Sequence, residues 1–202
     1  MKARKTLYVR LKGRLYRELL AMIQWPRIKF YRMISTAVVI DHGATILQPV
    51  LFSGKGTITL GKCTLGSFPS PLFFSGYMHI EAREEGSHVV IEDGVYINNS
   101  ACIIAERSSI RIEKDTLLGP EVCIFDSDFH GLKPETRHTG QHAARPVVIE
   151  QNVFLGARVT VLKGVQIGRD SIVGASTLIN RNIPEMTIAT GSTSYSERRL
   201  EK

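Results

Sequence analysis

The chain has 202 residues, of which 43% are hydrophobic and 22% are charged. This composition suits one soluble globular domain and excludes wholesale disorder, a collagen-like fibre and a disulfide scaffold. No apolar run reaches the ~18 residues of a membrane-spanning helix, and the basic start has neither the apolar core nor the cleavage site of a signal peptide. The cysteines, Cys63, Cys102 and Cys123, form no CxxC pair. We therefore expect free thiols and a cytoplasmic protein.

Basic charge is concentrated at the start of the chain. Residues 1–34 hold ten Lys or Arg and one acid, Glu18, whereas the rest of the chain holds 16 basic and 18 acidic residues. The net charge of +7 therefore belongs to an N-terminal arm and not to the body. We expect no nucleic-acid partner, because no reader motif or aromatic platform accompanies this charge.

The arm also has the apolar period of a helix. An aliphatic residue recurs at every fourth position: Leu7, Leu11, Leu15, Leu19 and Ile23. Pro26 predicts the end of this helix. One interpretation is that the helix packs its leucines on the body or on a neighbouring subunit and leaves its charges in water. The other is a peripheral contact of residues 1–30 with an anionic membrane surface, at the inner face of the membrane.

The body of the chain repeats every six residues. From Ile149 the blocks read IEQNVF, LGARVT, VLKGVQ, IGRDSI, VGASTL and INRNIP. The first position is always aliphatic: Ile149, Leu155, Val161, Ile167, Val173 and Ile179. The fifth is small or β-branched: Val153, Val159, Val165, Ser171, Thr177 and Ile183. The same phase occurs earlier at Ile91, Ile97 and Ile103 and, after a slip of three residues, at Ile112, Leu118 and Ile124.

A period of six indicates a solenoid of short strands, because neither a helix nor an isolated sheet has this period. Each block supplies a strand with two inward side chains and a corner at which Gly, Asn or Asp allows a turn. Three blocks make one coil of ~18 residues. We predict an all-β parallel β-helix at 35–190, a basic helical arm at 1–34 and a C-terminal tail at 191–202.

Two stretches break the repeat, at 66–76 and at about 125–146. The second reads FDSDFHGLKPETRHTGQHAAR and is the richest part of the chain in ionisable groups. A loop inserted into a rigid repeat scaffold is a common place for a functional site. We therefore predict that this inserted loop carries the active site.

The repeats, the segment DSDFHGL and the block PVVIEQNVFLGARVTVLKGVQIGRDSIVGASTLINRNIP resemble the left-handed β-helix acyltransferases. The resemblance covers about residues 85–190 and is strongest to the maltose and galactoside O-acetyltransferases and the bacterial polysaccharide O-acetyltransferases. It implies a left-handed helix and a homotrimer with each active site between two subunits. It also implies transfer of acetyl from acetyl-CoA to a hydroxyl of a sugar, in a surface polysaccharide or its lipid-linked precursor, with no metal.

The resemblance implies roles for residues of the inserted loop. His130 matches the catalytic base, and a neutral imidazole suits removal of a hydroxyl proton near pH 7. Asp128 would hold the imidazole or bind the acceptor. Asn98 and Arg137 are further candidates for acceptor binding. The family often has Asp near position 105, where this chain has Ala105 followed by Glu106.

The resemblance also implies contacts with coenzyme A. Gly156, Ala157 and Ala175 match small residues beside the pantetheine arm. Lys163 and Arg181 match basic positions at the phosphate-bearing end. The chain departs from the family in having Phe154 in place of a Trp, and Gly191 alone remains of the C-terminal segment beside the adenine.

Two other functions remain open from the sequence. Some hexapeptide β-helices resemble carbonic anhydrases, and the three loop histidines His130, His138 and His142 could be ligands of a zinc ion. A β-helix can also act without catalysis, as a binding module.

Overall fold

The computed structural model describes residues 2–140 and 142–191, with the backbone alone for residues 2–17. It consists of one long helix, α1 (Lys2–Met33), followed by short parallel strands that stack in three sheets. The chain visits the three sheets in turn, so that three successive strands form one coil of a β-helix. The predicted C-terminal tail lies outside the described residues from 192 onward.

The strands divide among three ladders. The first sheet contains β1 (Val38–Asp41), β4 (Thr57–Leu60), β7 (His88–Ile91), β10 (Ser109–Ile112), β13 (Val147–Ile149) and β16 (Gln166–Ile167). The second contains β2 (Thr45–Ile46), β5 (Thr64–Leu65), β8 (Tyr96–Ile97), β11 (Leu117–Leu118), β14 (Phe154–Leu155), β17 (Ile172–Val173) and β19 (Ile188–Ala189). The third contains β3 (Val50–Gly54), β6 (Met78–Ala82), β9 (Cys102–Ala105), β12 (Cys123–Phe125), β15 (Thr160–Val161) and β18 (Leu178–Ile179).

The six-residue blocks stack in the predicted register. First-position residues one coil apart pair with each other: Ile149 with Ile167, Leu155 with Val173, and Val161 with Ile179. Each pair is 18 residues apart, which confirms the predicted coil length. These side chains and their fifth-position neighbours fill the interior, where the aliphatic core runs the length of the coils.

Two positions at the corners have special backbone requirements. The fourth residue adopts a left-handed conformation in five successive blocks, at Asn152, Arg158, Gly164, Asp170 and Ser176. The second-position glycines have a different role, because the next coil lies very close. A Cβ on Gly156 would lie 2.6 Å from the backbone nitrogen of Ala175. Gly156 and Gly168 therefore permit tight stacking, whereas the fourth residue makes the turn.

The inserted loop lengthens one coil without replacing it. Ile112 of β10 pairs with Ile149 of β13, which is 37 residues further along the chain, against 18 in a regular coil. The strands on both sides keep their places in the ladder. A rigid coil above and below therefore fixes both ends of the loop.

The predicted end of α1 at Pro26 is wrong, because the helix continues to Met33 with Pro26 inside it. An interior proline costs about 3 kcal/mol, since it removes one backbone donor and crowds the preceding turn. Contacts on both sides of Pro26 offset this cost. Gln24 Nε2 donates to the carbonyl of Phe73 at 2.6 Å, and the ring centroid of Tyr31 lies 4.8 Å from that of Tyr77.

The structure describes only part of the predicted apolar face of α1, because side chains are described from residue 18 onward. Leu19 and Ile23 are about half exposed, at 48% and 52%, while the side chains of Leu7, Leu11 and Leu15 lie outside the described part. No described helix is apolar enough over a sufficient length to cross a membrane. The three cysteines are free thiols, as predicted.

Candidate active site

The inserted loop leaves the β-helix at the corner that follows a strand of the third sheet and precedes one of the first, here called the third–first corner. Asp126 lies at this corner directly after β12 and is fully buried. Its carboxylate accepts hydrogen bonds from the backbone nitrogens of Glu106 at 2.7 Å, Arg107 at 3.3 Å and Ser108 at 2.7 Å. Three donors converge on one carboxylate, so this corner is fixed to the coil before it.

The two ends of the loop also bind each other. The backbone nitrogen of Asp128 donates to the carbonyl of Ala143 at 3.2 Å, and that of Arg145 donates to the backbone carbonyl of Asp126 at 2.8 Å. Ser127 and Ala144 form an antiparallel bridge. The two ends of the loop, residues 126–128 and 143–145, are thus joined by hydrogen bonds, and we call this pair of segments the neck of the loop.

The buried carboxylate of Glu106 joins the neck to the β-helix. It accepts hydrogen bonds from the Ser127 hydroxyl and from His142 Nε2, the latter at 2.6 Å. Arg107 Nη2 lies against the same imidazole, 2.5 Å from His142 Nε2 and 3.1 Å from Nδ1. Burial alone would raise the pKa of Glu106, but the hydrogen bonds from Ser127 and His142 outweigh it, so the pKa is lowered from its usual 4.5. Glu106 is therefore an ionised anchor for both ends of the loop.

His130 lies on the exposed side of the loop, beyond the neck. Phe129 before it has a φ of 60°. A short 3-10 turn, Pro134–Thr136, folds the chain back so that His130 Nδ1 lies 3.2 Å from the carbonyl oxygen of Arg137. Gly131 permits this return, because a Cβ there would lie 2.4 Å from the carbonyl oxygen of Thr136. The imidazole thus has one nitrogen held by the backbone.

The residues around His130 form an open cleft of about 440 Å³. Its lining is rich in ionisable groups: Glu84, Glu106, Arg107, His130, Arg137, His138 and His142. Phe129 also lines the cleft, and the guanidinium carbon of Arg83 lies 5.0 Å from its ring centroid. The cleft therefore offers hydrogen-bond donors and acceptors to a polar ligand on several sides of His130.

Comparison with known proteins identifies the family of this chain. A family model described as the hexapeptide repeat of succinyl-transferase matches residues 146–181. An Escherichia coli relative, named as an O-acetyltransferase of lipopolysaccharide biosynthesis, is 34% identical over 170 residues, covering 79% of this chain and 80% of its own. The chain belongs to the hexapeptide-repeat acetyltransferases.

A second relative and a solved structure agree with this family. The Lactococcus lactis galactoside O-acetyltransferase is 34% identical over 115 residues, which is 57% of this chain and about half, 55%, of that protein. The crystal structure of the polySia-specific acetyltransferase NeuO aligns with a TM-score of 0.53 at 18% identity, over 79% of this chain and 80% of its own. The predicted left-handed parallel β-helix and the predicted acetyltransferase are thus confirmed.

In this hexapeptide-repeat acetyltransferase, two of the predicted loop residues have polar partners. Asp128 Oδ1 lies 2.5 Å from Lys163 Nζ, which belongs to the third–first corner of the next coil. Arg137 presents its carbonyl to His130, and its guanidinium donates to the carbonyl of Leu132 at 3.3 Å. Arg181 is exposed at the same corner, one coil beyond Lys163.

The remaining predicted residues lie at a different corner of the acetyltransferase. Asn98, Gly156, Ala157 and Ala175 follow strands of the second sheet and precede those of the third. Asn98 Oδ1 accepts a hydrogen bond from the backbone nitrogen of its neighbour Asn99 at 2.7 Å. The third sheet separates these four residues from the third–first corner, so a single chain does not bring them to His130.

The three histidines of the alternative zinc site are not arranged around a common point. The ring centroids of His130 and His138 lie 6.4 Å apart, and His142 is hydrogen-bonded to Glu106. Within residues 2–140 and 142–191, no group of three or more His, Cys, Asp or Glu side chains is placed to hold a metal ion.

Sequence reasoning did not assign a role to Glu106, Asp126 or Arg107. The available signal was the slip of three residues in the repeat, which places Glu106, Arg107 and Ser108 as an insertion at the corner directly below the loop. Ala105, where the family often has Asp, is fully buried in β9. The next residue, Glu106, is therefore the acidic group that this corner offers to the loop.

Proposed function

We propose that the chain transfers acetyl from acetyl-CoA to a hydroxyl of a sugar, in a surface polysaccharide or its lipid-linked precursor, in the cytoplasm. Membership of the acetyltransferase family supports the reaction class. The names of the lipopolysaccharide-biosynthesis, galactoside and polySia relatives support a sugar acceptor. The contact of His130 Nδ1 with the Arg137 carbonyl, at 3.2 Å on an exposed loop, is the observation that carries the mechanism.

The Arg137 carbonyl selects one tautomer of His130. A carbonyl oxygen only accepts hydrogen bonds, so the proton of a neutral imidazole resides on Nδ1 and the lone pair on Nε2. Nε2 then removes the proton of the acceptor hydroxyl as its oxygen attacks the thioester carbonyl of acetyl-CoA. The C–S bond of the tetrahedral intermediate breaks, and the imidazolium returns the proton to the leaving sulfur. The products are the acetyl ester and coenzyme A.

The other candidate residues of the loop and of the third–first corner have proposed roles in binding the acceptor and coenzyme A. Asp128 and Lys163 form an ion pair that ties the loop to the next coil. The resemblance gives Lys163 a role at the phosphate-bearing end of coenzyme A. Arg137 is placed in the cleft with His130, where its guanidinium serves acceptor binding. Arg181, exposed at the same corner, serves the phosphates of coenzyme A.

We infer a homotrimer, as the resemblance to the left-handed β-helix acyltransferases implies, and the separation of the two corners is consistent with a site shared between subunits. Asn98, Gly156, Ala157 and Ala175 lie across the third sheet from His130 in the same chain. A neighbouring subunit that presents this second corner to the loop would complete the site. In that arrangement Asn98 binds the acceptor, and the small side chains leave room for the pantetheine arm.

Release of coenzyme A, followed with a thiol reagent, tests the proposal on a panel of sugars and glycans. His130→Ala should lower acceptor-dependent turnover by at least ~10², because general-base catalysis contributes 10²–10⁴-fold. His42→Ala, an exposed histidine distant from the loop in sequence, is the matched control and should keep full activity. Equal turnover in His130→Ala and wild type would refute the role of His130. Failure of every acceptor, together with no binding of acetyl-CoA, would refute the proposed reaction.

A further inference from the structure

Helix α1 has one face that contacts the body. Along residues 18–34 the buried or half-buried positions recur at spacings of three and four: Leu20, Gln24, Arg27, Ile28 and Tyr31. The Gln24 amide donates to the carbonyl of Phe73, and Arg27 Nη2 donates to the carbonyl of Gly76 at 2.8 Å. These contacts fix the orientation of the helix about its own axis.

The opposite face of the same helix is apolar and exposed. It carries five large hydrophobic side chains, here called the outer stripe: Leu19 at 48% exposure, Met22 at 72%, Ile23 at 52%, Phe30 at 53% and Met33 at 74%. At the ~100° per residue of an α-helix, the centre of this set lies roughly 130° from the centre of the body face, and Ile23 is its member nearest to that face. A continuous exposed stripe of this kind marks an interaction surface, since isolated apolar side chains are the usual case on a monomer.

The charge around the outer stripe selects its partner. Lys29 and Arg32 are exposed on the same segment, and the arm as a whole carries ten basic residues against one acid. A second copy of the arm would bring the same positive charge to the contact, whereas anionic lipid headgroups would neutralise it. Trp25 is 62% exposed, and Lys29 Nζ lies 5.6 Å from its ring centroid. Tryptophan beside basic residues is typical of helices at a membrane interface.

We propose that α1 binds the surface of an anionic lipid bilayer, with the outer stripe in the headgroup region and the flanking Lys and Arg side chains on the phosphates. The helix lies along the surface and does not cross it. This inference does not depend on the acetyl-transfer reaction, because it rests on exposure and charge of the arm alone.

Trp25 provides the measurement, since it is the single tryptophan of the chain. Its fluorescence is recorded on the full-length protein with vesicles of phosphatidylglycerol or of phosphatidylcholine. We expect a blue shift and co-sedimentation with phosphatidylglycerol vesicles alone. Raising the ionic strength from ~0.1 M to ~1 M shortens the Debye length from ~10 Å to ~3 Å and should release most of the protein. Absence of a shift with phosphatidylglycerol vesicles at low salt would overturn the proposal.

A matched pair of double variants separates the lipid contact from the alternatives. Met22→Glu with Phe30→Glu places two charges in the outer stripe, and we expect vesicle binding to fall at least about tenfold. Met186→Glu with Ile188→Glu makes the same change at two side chains of 78% and 73% exposure near the last coil and should bind like wild type. Equal binding by both variants would contradict the proposal. Dissociation of the oligomer in the first variant alone would assign the stripe to a subunit interface instead.

Discussion

Glu106 is hydrogen-bonded to both ends of the loop that carries His130. Its carboxylate is buried beside Ser127 and His142, which lie 21 and 36 residues further along the chain. In the proposed mechanism the Nδ1–H tautomer of His130 depends on the Arg137 carbonyl, and that carbonyl is in place because the loop folds back on itself. In the proposed mechanism Glu106 therefore acts on His130 through the position of the loop, as a positioning residue.

Glu106→Gln should lower both the stability and the turnover of the protein. The variant keeps a hydrogen-bonding group but loses the charge, so we expect a loss of about 2 kcal/mol at pH 7, as for buried hydrogen bonds to a charged group. The pKa of Glu106 is lowered by folding, so its stabilisation is present above the usual value of 4.5 and is lost as the pH falls through the folded value. Urea unfolding at pH 7 and in acid should therefore show a difference between wild type and variant that shrinks on acidification.

The control for this experiment is Glu135→Gln, because Glu135 is an exposed glutamate of the same loop. It should unfold like the wild type at each pH. A difference between Glu106→Gln and wild type that is constant with pH would show that the carboxylate charge is not the source of the stabilisation.

Sequence predicted the candidate base but not its surroundings. DSDFHGL marks His130 by resemblance, since the motif is continuous. The anchor at Glu106 depends on contacts between residues 20 or more positions apart, and no spacing rule relates them. The group that contacts His130 Nδ1 is a backbone carbonyl, and because every residue has one, the sequence does not reveal it.

Among the elements, the regular coils are the best predicted part of the fold. Every sixth residue from Ile149 to Ile179 points inward, because each block repeats the same strand and corner. The earlier coils are irregular. Ile91 pairs with Ile112 after 21 residues, and Val50 of β3 pairs with Met78 after 28, since corner insertions differ from coil to coil. For helix α1 the local rule is wrong. It predicts an end at Pro26, but contacts with the body stabilise the helix as far as Met33.

The second-position glycines give a prediction for the coils. A Cβ on Gly168 would lie 2.4 Å from the backbone nitrogen of Glu185, whereas on Gly174 its nearest neighbour would be the side-chain methyl of Thr190 at 3.3 Å. A backbone atom cannot move aside cheaply, so Gly168→Ala should cost about 1–3 kcal/mol, as overpacking does. Gly174→Ala should cost clearly less, because the methyl can move. Chemical denaturation of both variants tests this, and equal losses would contradict it.

At the scale of the whole molecule, the β-helix is a rigid rod that exposes a different set of residues at each corner. His130, Asp128 and Lys163 occupy the third–first corner, while the small residues at 156, 157 and 175 occupy the corner that follows the second sheet and precedes the third. A site that needs both sets requires two copies of the chain. The basic arm adds a second surface whose outer stripe is turned away from the body.

The proposed homotrimer, with each site shared between two corners, predicts a stable oligomer in solution. Light scattering on the purified full-length protein should give three times the 22.5 kDa mass of the chain, in the presence and absence of acetyl-CoA. A mutation at one corner should then be rescued by a mutation at the other when the two variants are refolded together, because a mixed trimer contains intact sites. A monomer with full activity would remove the basis of the two-corner site.

The central claim is that His130 enables acetyl transfer to a sugar hydroxyl, and labelled acetyl-CoA tests it most directly. Protein, acceptor and acetyl-CoA carrying a ¹³C-labelled acetyl group are incubated together, and the linkage of the label is determined by NMR. We predict an acetyl ester on a sugar carbon in the wild type and in His42→Ala, and at least ~10²-fold less in His130→Ala. Label in an amide, or the same amount of ester with His130→Ala, would contradict the account.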